Sequence, residues 1–183
     1  TRIAGETELA DWFRQWPDAG LALVLGPVSN VFALDVDGPE AHATLVGRLG
    51  TEPIAPKTIS GSRKPNRYHL LFTDPGVATR AKKTPWHEKL EFRGQGGLVI
   101  LPPSVHPSGH RYEWFPGRSP VDLPIPALPE VLRAALAPAT TASRPVRSHQ
   151  ATEPVGGAFS SSTTRFLAGE YANGPNWNNN LFK

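Results

Sequence analysis

Hydrophobic residues recur along this chain with two periods. Over 6–16, Leu9, Trp12, Phe13 and Trp16 fall at i, i+3, i+4 and i+7, and Pro17 stops the run, which predicts a helix with one apolar stripe. Residues 21–25 (Leu-Ala-Leu-Val-Leu) and 31–36 (Val-Phe-Ala-Leu-Asp-Val) are short apolar runs on either side of a turn at 26–30, the pattern of an antiparallel hairpin. Pro39 suits a first helical position. Ala41, Leu45 and Leu49 follow on one face, and Gly50 closes this second helix. Further strands are predicted at 57–60, 67–72, 89–93, 97–101 and 111–115, and a helix near 128–137 ends the body. Strand pairs mixed with a few helices predict an α+β fold with a largely antiparallel sheet. From Pro138 to about Thr164 the chain turns to Pro, Thr, Ser, Ala and Gly, which reads as a flexible linker. Residues 165–183 carry a short helical signal and then an Asn-rich stretch. The expected organisation is thus a domain over 1–137, a linker over 138–164 and the start of a helical segment over 165–183.

Composition narrows the class. The chain has 183 residues, the size of one domain with a tail. Its 39% hydrophobic content, with eight Phe and five Trp, excludes a wholly disordered chain. No run approaches the ~18 apolar residues that span a bilayer, so no membrane partner is expected. With no cysteine there is no disulfide framework, thiolate zinc site or thiol nucleophile, which fits a reducing cytoplasm. The first residue is Thr and Met is absent, so the chain is expected to be an excised piece of a longer protein.

Charge is distributed unevenly. Residues 1–56 carry a net −5, and 94–183 a net +2. Residues 57–93 carry nine basic and three acidic residues, a net +6. Such a patch suits a polyanion, whether nucleic acid, nucleotide or anionic lipid, although a solvated loop has the same composition.

Candidate chemistry lies beside that patch. In an extended 31–37 segment Asp35 and Asp37 project from one face, while Leu34 and Val36 point to the other. Two carboxylates ending an apolar strand are costly to bury unless a cation neutralises them. The same Asp37-Gly38-Pro39 stretch also reads as a strand exit capping the next helix. In Tyr68-His69-Leu70-Leu71-Phe72, His69 sits amid apolar residues next to a basic turn. In Leu90-Glu91-Phe92-Arg93 the charged pair shares one face. A strand His is often a hydrogen-bonded core residue, and Glu-x-Arg is often a solvated face. If the strands adjoin, however, Asp35, Asp37 and Glu91 meet on one sheet face beside His69 and Arg93. Three carboxylates are hard oxygen ligands matched to Mg²⁺ or Mn²⁺, and a cationic His or Arg at the edge can grip a triphosphate. Phosphoryl or nucleotidyl transfer needs such an arrangement.

These residues, in this order, resemble a known family. "ALDVDG" (33–38), "KTISGS" and "RYHLLF" (57–72), and "LEFRGQGGLVILPPSVHPSGHRYEW" (90–114) are similar to the bifunctional DNA primase/polymerase domain of the archaeo-eukaryotic primase superfamily. Such domains open replication proteins of plasmids, phages and prophages. The resemblance covers roughly residues 10–137. It implies a primase–polymerase fold with an RRM-like catalytic core, and template-directed nucleotidyl transfer with two Mg²⁺ or Mn²⁺ ions. Asp35, Asp37 and Glu91 would be the catalytic, metal-binding carboxylates. His69 would contact the incoming nucleotide's phosphates, with Ser60, Gly61 and Arg93 near the triphosphate. Ser104 and His106 would lie in a loop shaping the nucleotide pocket. The partners implied are nucleoside triphosphates and a single-stranded or primed DNA template. Further helical and helicase domains are expected in the parent protein, in the cytoplasm of a bacterial or phage-infected host.

The sequence departs from the family pattern in places. The third acid is Glu91 where Asp is commoner. Between Gly61 and His69 the chain is longer and carries Arg63, Lys64 and Arg67, the candidate DNA-binding residues. Without cysteine, the zinc-bearing insertion of some relatives is excluded. His106 and His110 flank Pro107 and Gly109, a poor setting for a helical zinc pair. No P-loop motif occurs, and Gly94-Gln95-Gly96-Gly97 reads as a turn between strands rather than a dinucleotide fingerprint. Two other readings stay open at this level: a non-catalytic DNA-binding module of a replication initiator, and a metal-dependent nuclease.

Overall fold

The computed structural model describes residues 4–136. In chain order the elements are α1 (Glu6–Gln15), β1 (Leu21–Val24), β2 (Val31–Asp37), α2 (Pro39–Leu49), β3 (Lys57–Ile59), β4 (Arg67–Thr73), β5 (Ala81–Lys83), β6 (Leu90–Arg93), β7 (Leu98–Leu101), β8 (Glu113–Trp114) and α3 (Glu130–Leu136). Six strands form one sheet in the order β5-β6-β2-β4-β3-β8, with every pairing antiparallel, and β1 and β7 form a separate antiparallel pair. This is an α+β fold, as the alternation of patterns predicts. The linker and helical segment expected over 138–183 lie outside the described residues.

The sheet's two faces are covered unequally, and that difference makes the site. On one face Phe32, Leu34 and Val36 of β2, Tyr68, Leu70 and Phe72 of β4, and Leu90 and Phe92 of β6 are buried against α2 and α3. Ala41 and Leu45 of α2, and Leu132 and Leu136 of α3, enter this core at i, i+4 spacing. Burying each such leucine contributes about 1.5–3 kcal/mol. On the other face Val31, Ala33 and Leu71 pack against Leu25 and Val99, under the β1–β7 pair. That second layer covers only one end of β2. Val31 to Leu34 are therefore buried on both faces, while Asp35 and Asp37 emerge where the cover stops.

Several predicted elements appear close to their expected places. Pro39 opens α2, and Gly50 ends it in the left-handed conformation (φ 79°), its N–H donating to the Val46 carbonyl. The α1 stripe forms but finds no core: Leu9, Trp12, Phe13 and Trp16 remain 39–44% exposed.

The predicted hairpin between 21–25 and 31–36 does not form. β1 pairs with β7, from Leu21 opposite Leu101 to Val24 opposite Leu98, and only a single bridge joins Gly26 to Val31. The reason is competition: β2 is the central strand, and β4 and β6 occupy both of its edges. The Gly94–Gly97 turn then carries the chain from one sheet to the other, and a Cβ on Gly94 would collide with the Thr79 carbonyl and stand 2.9 Å from the Phe32 ring. β5, which the sequence pattern does not announce, is a polar edge strand held by backbone pairing to β6.

Candidate active site

Register brings the charged residues together. Asp35 lies opposite His69 across β2–β4 and opposite Glu91 across β2–β6, and Thr58 lies opposite His69 across β3–β4. Cross-strand partners share a face, so Glu91, Asp35, His69 and Thr58 form one row on the face away from the helices, partly exposed at Glu91 and Asp35 and buried at Thr58. One step along, Asp37 faces Arg67; a step the other way, Ala33 faces Arg93.

Arginines tie the acids of this row. Arg93 donates from Nε to Asp35 Oδ2 at 3.1 Å. Its Nη2 sits 3.0 Å from the same oxygen and 2.7 Å from Glu91 Oε2, so one nitrogen links carboxylates from two strands. Asp37 Oδ1 pairs with Arg67 Nε at 2.7 Å. Asp37 thus turns to a neighbouring strand rather than capping α2, whose N-cap is Gly38. His69 Nε2 stands 3.5 Å from Asp35 Oδ1, and its Nδ1 shares a 3.1 Å hydrogen bond with the Thr58 hydroxyl. Burial pushes the His69 pKa below its ordinary value and the charge on Arg93 adds to that; the Asp35 and Asp37 carboxylates oppose it without prevailing.

The turn after β3 and the loop after β7 close the other side. The peptide between Pro102 and Pro103 is cis. Gly61 meets the loop at backbone distance: a Cβ there would lie 2.5 Å from His106 Cβ and 2.6 Å from the His110 carbonyl oxygen. Ser108 Oγ donates to the Gly61 carbonyl at 2.8 Å, and His106 Nδ1 shares a 3.0 Å bond with Ser108 Oγ. Ser60 and Ser62 hydroxyls are 3.1 Å apart within the turn. Ser104 is buried with its hydroxyl committed to strand β1. It accepts from the Leu21 N–H at 2.6 Å and donates to the Leu21 carbonyl at 3.2 Å, so it anchors the loop.

One residue that the chemistry-bearing motifs alone do not mark is Tyr112. Its ring centroid lies 5.9 Å from that of His106. Burial raises its pKa, a hydrogen bond with Ser60 opposes that, and the Asp35 charge raises it further. Tyr112 therefore joins the loop, the Ser60 turn and the carboxylate row. The signal was present in the sequence, since Tyr112 and Trp114 alternate with charged Arg111 and Glu113, but strand aromatics usually mark a core. Burial lowers the His106 pKa, and the Arg67 charge and the neighbouring His110 add to that.

Of the expected DNA-binding residues, Arg63 pairs with Glu113 at 2.9 Å, Arg67 belongs to the Asp37 pair, and Lys64 is exposed in the turn. Asp35, Asp37 and Glu91 offer only oxygen donors, on an open face, with the two nearest 20% and 25% exposed; that donor chemistry fits a hard divalent cation. Among the described residues no three acidic or histidine side chains are gathered into a ready cage; Arg93 bridges Asp35 and Glu91, and Arg67 holds Asp37.

No curated protein matches the chain. The family model for the N-terminal domain of bifunctional DNA primase/polymerases matches residues 4–131, and the chain belongs to that family.

Proposed function

We propose that this chain carries out template-directed nucleotidyl transfer, making and extending DNA primers, with Asp35, Asp37 and Glu91 as the carboxylates that hold two Mg²⁺ or Mn²⁺ ions. The observation that carries the reading is the row itself: Asp35 has Glu91 and His69 as its two cross-strand partners on the open half of the sheet. Such ions, when bound, lower the pKa of the attacking 3′-hydroxyl and neutralise charge on the departing pyrophosphate. In the transfer, that hydroxyl's oxygen bonds to the α-phosphorus as the α–β anhydride bond breaks, the hydroxyl proton passes to solvent water and pyrophosphate departs.

The chain's own groups orient the reactants. His69, kept neutral by burial, presents Nε2–H to a phosphate oxygen when the Thr58 hydroxyl donates to Nδ1. Arg93 couples Asp35 to Glu91 and carries a planar fork suited to phosphate oxygens. Ser60, Gly61 and His106 form the nucleotide side, with Ser104 holding the loop. The family resemblance supports service in phage or plasmid replication in a bacterial cytoplasm, alongside helical and helicase domains.

One observation favours a second reading: all three carboxylates already sit in ion pairs, as they would in a non-catalytic DNA-binding module. Primer extension and de novo synthesis with Mg²⁺ or Mn²⁺ separate the two. Asp35→Ala and Asp37→Ala are each expected to lose incorporation by at least about 10³-fold with DNA affinity largely kept. Extension by either variant at a near wild-type rate overturns the proposal.

A further inference from the structure

Transfer between two anionic substrates needs two cationic grips. Of the candidates for the nucleotide, His69, Ser60 and His106 lie on the β3–β4 side of the carboxylate row, while Arg93 stands on β6, tied to Asp35 and Glu91 within the row. On the opposite side, β5 is the sheet's edge strand, and Lys83 stands directly opposite Glu91 across β5–β6. Lys83 thereby continues the row, in the order Lys83, Glu91, Asp35, His69, Thr58. Lys89 enters β6 beside the same site, its carbonyl accepting the Asp37 N–H at 3.0 Å. Both lysines are exposed, and among the described residues neither makes an ion pair. Glu91 does not neutralise Lys83, because its carboxylate is turned to Arg93 at 2.7 Å. The turn that sequence reasoning favoured for DNA is more committed: Arg63 is held by Glu113 and Arg67 by Asp37.

We infer that Lys83 and Lys89 form the contact for the phosphate backbone of the DNA strand, on the flank of the carboxylates opposite the nucleotide. This rests on the nucleotidyl-transfer reading, which requires a strand end to reach Asp35 from a side the triphosphate leaves free. Lysines on an edge strand also discourage edge-to-edge pairing. That role, however, needs no alignment with Glu91 and no second lysine beside Asp37.

The test is fluorescence anisotropy of the full chain with a labelled single-stranded oligonucleotide over a range of salt, together with nucleotide KM in primer extension at saturating DNA. The variants are Lys83→Glu with Lys89→Glu, and the milder Lys83→Gln with Lys89→Gln, with folding followed by circular dichroism. The double reversal is expected to weaken DNA binding by about tenfold or more at low salt, and the glutamine pair by less. Losing two phosphate contacts flattens the log–log salt slope by about 1.4 on a single strand. Nucleotide KM is expected to stay within about twofold. Unchanged DNA affinity and slope in both variants overturn the inference and leave the lysines as edge protection. A raised nucleotide KM with unchanged DNA affinity also overturns it, placing them on the triphosphate. Lysine-dependent DNA binding by a wild-type chain that incorporates no nucleotide supports this contact while contradicting the transfer reading.

Discussion

Asp35 is the residue on which the account turns. Strand alternation alone places it with Asp37, and places Glu91 with Arg93, so the chemical character of the face was legible in the sequence. What alternation cannot give is which strands adjoin; that depends on β4 and β6 outcompeting β1 for the edges of β2. Tyr112 was harder to read. An aromatic beside Trp114 looks like core, yet its ring packs 5.9 Å from His106 and its environment is set partly by Asp35. Because its pKa is raised, the phenol stays protonated at neutral pH and keeps a hydrogen bond for Ser60 or a bound sugar or phosphate. Tyr112→Phe retains the ring, and nucleotide KM is expected to change by no more than about threefold; Tyr112→Ala removes the wall and should raise KM about tenfold, on the order of 1.4 kcal/mol. Steady-state primer extension reads both, and an unaltered KM in the alanine variant would remove Tyr112 from the nucleotide side.

At the scale of elements, the helices and most strands followed from periodicity, whereas β5 and the partner of β1 did not. β5 has no apolar face to signal it, and β1 is short enough that its pairing is decided by what it covers. The connection from α2 to β3 is held by a charged cluster that spacing could not reveal. Glu52 accepts from Lys57 at 2.8 and 3.0 Å and from Arg118 at 2.5 Å, and Lys57 lies 3.9 Å from the Tyr68 ring centroid. Burial works against the ionised Glu52, but hydrogen bonds from Lys57, Arg118 and Tyr68 prevail and hold its pKa below the usual carboxylate value of 4.5. A depressed folded pKa means that the charged form stabilises the fold above the unfolded pKa, and that this is lost as pH falls through the folded value. Glu52→Gln is therefore expected to cost about 2–3 kcal/mol at pH 7. The gap from wild type should narrow below about pH 4. Denaturant unfolding at neutral and acid pH checks this, and a gap that does not narrow in acid would show that Glu52 acts through packing rather than charge.

For the described body as a whole, architecture and charge serve the same end. Helices cover one face of the central strands β2, β4 and β6, and the β1–β7 pair covers the other only as far as Ala33. The chain thus keeps a core large enough to hold its strands in register and leaves a polar window over their centre. No described helix is long and apolar enough to cross a membrane. The positive excess over 57–93 includes Arg67, Arg93 and Lys83, which flank or join the acidic row, a pattern suited to drawing in polyanions while presenting carboxylates at the point of reaction. The central claim is that carboxylates from separate strands act as one unit, and Glu91, the one farthest in sequence from the others, tests it most directly. Glu91→Gln keeps the side chain's size and an oxygen for Arg93 while removing the charge. Single-turnover primer extension by this variant, with Mg²⁺ or Mn²⁺ and saturating DNA, is expected to slow by about 100-fold or more with template affinity intact. A rate close to that of the wild-type chain would contradict the account.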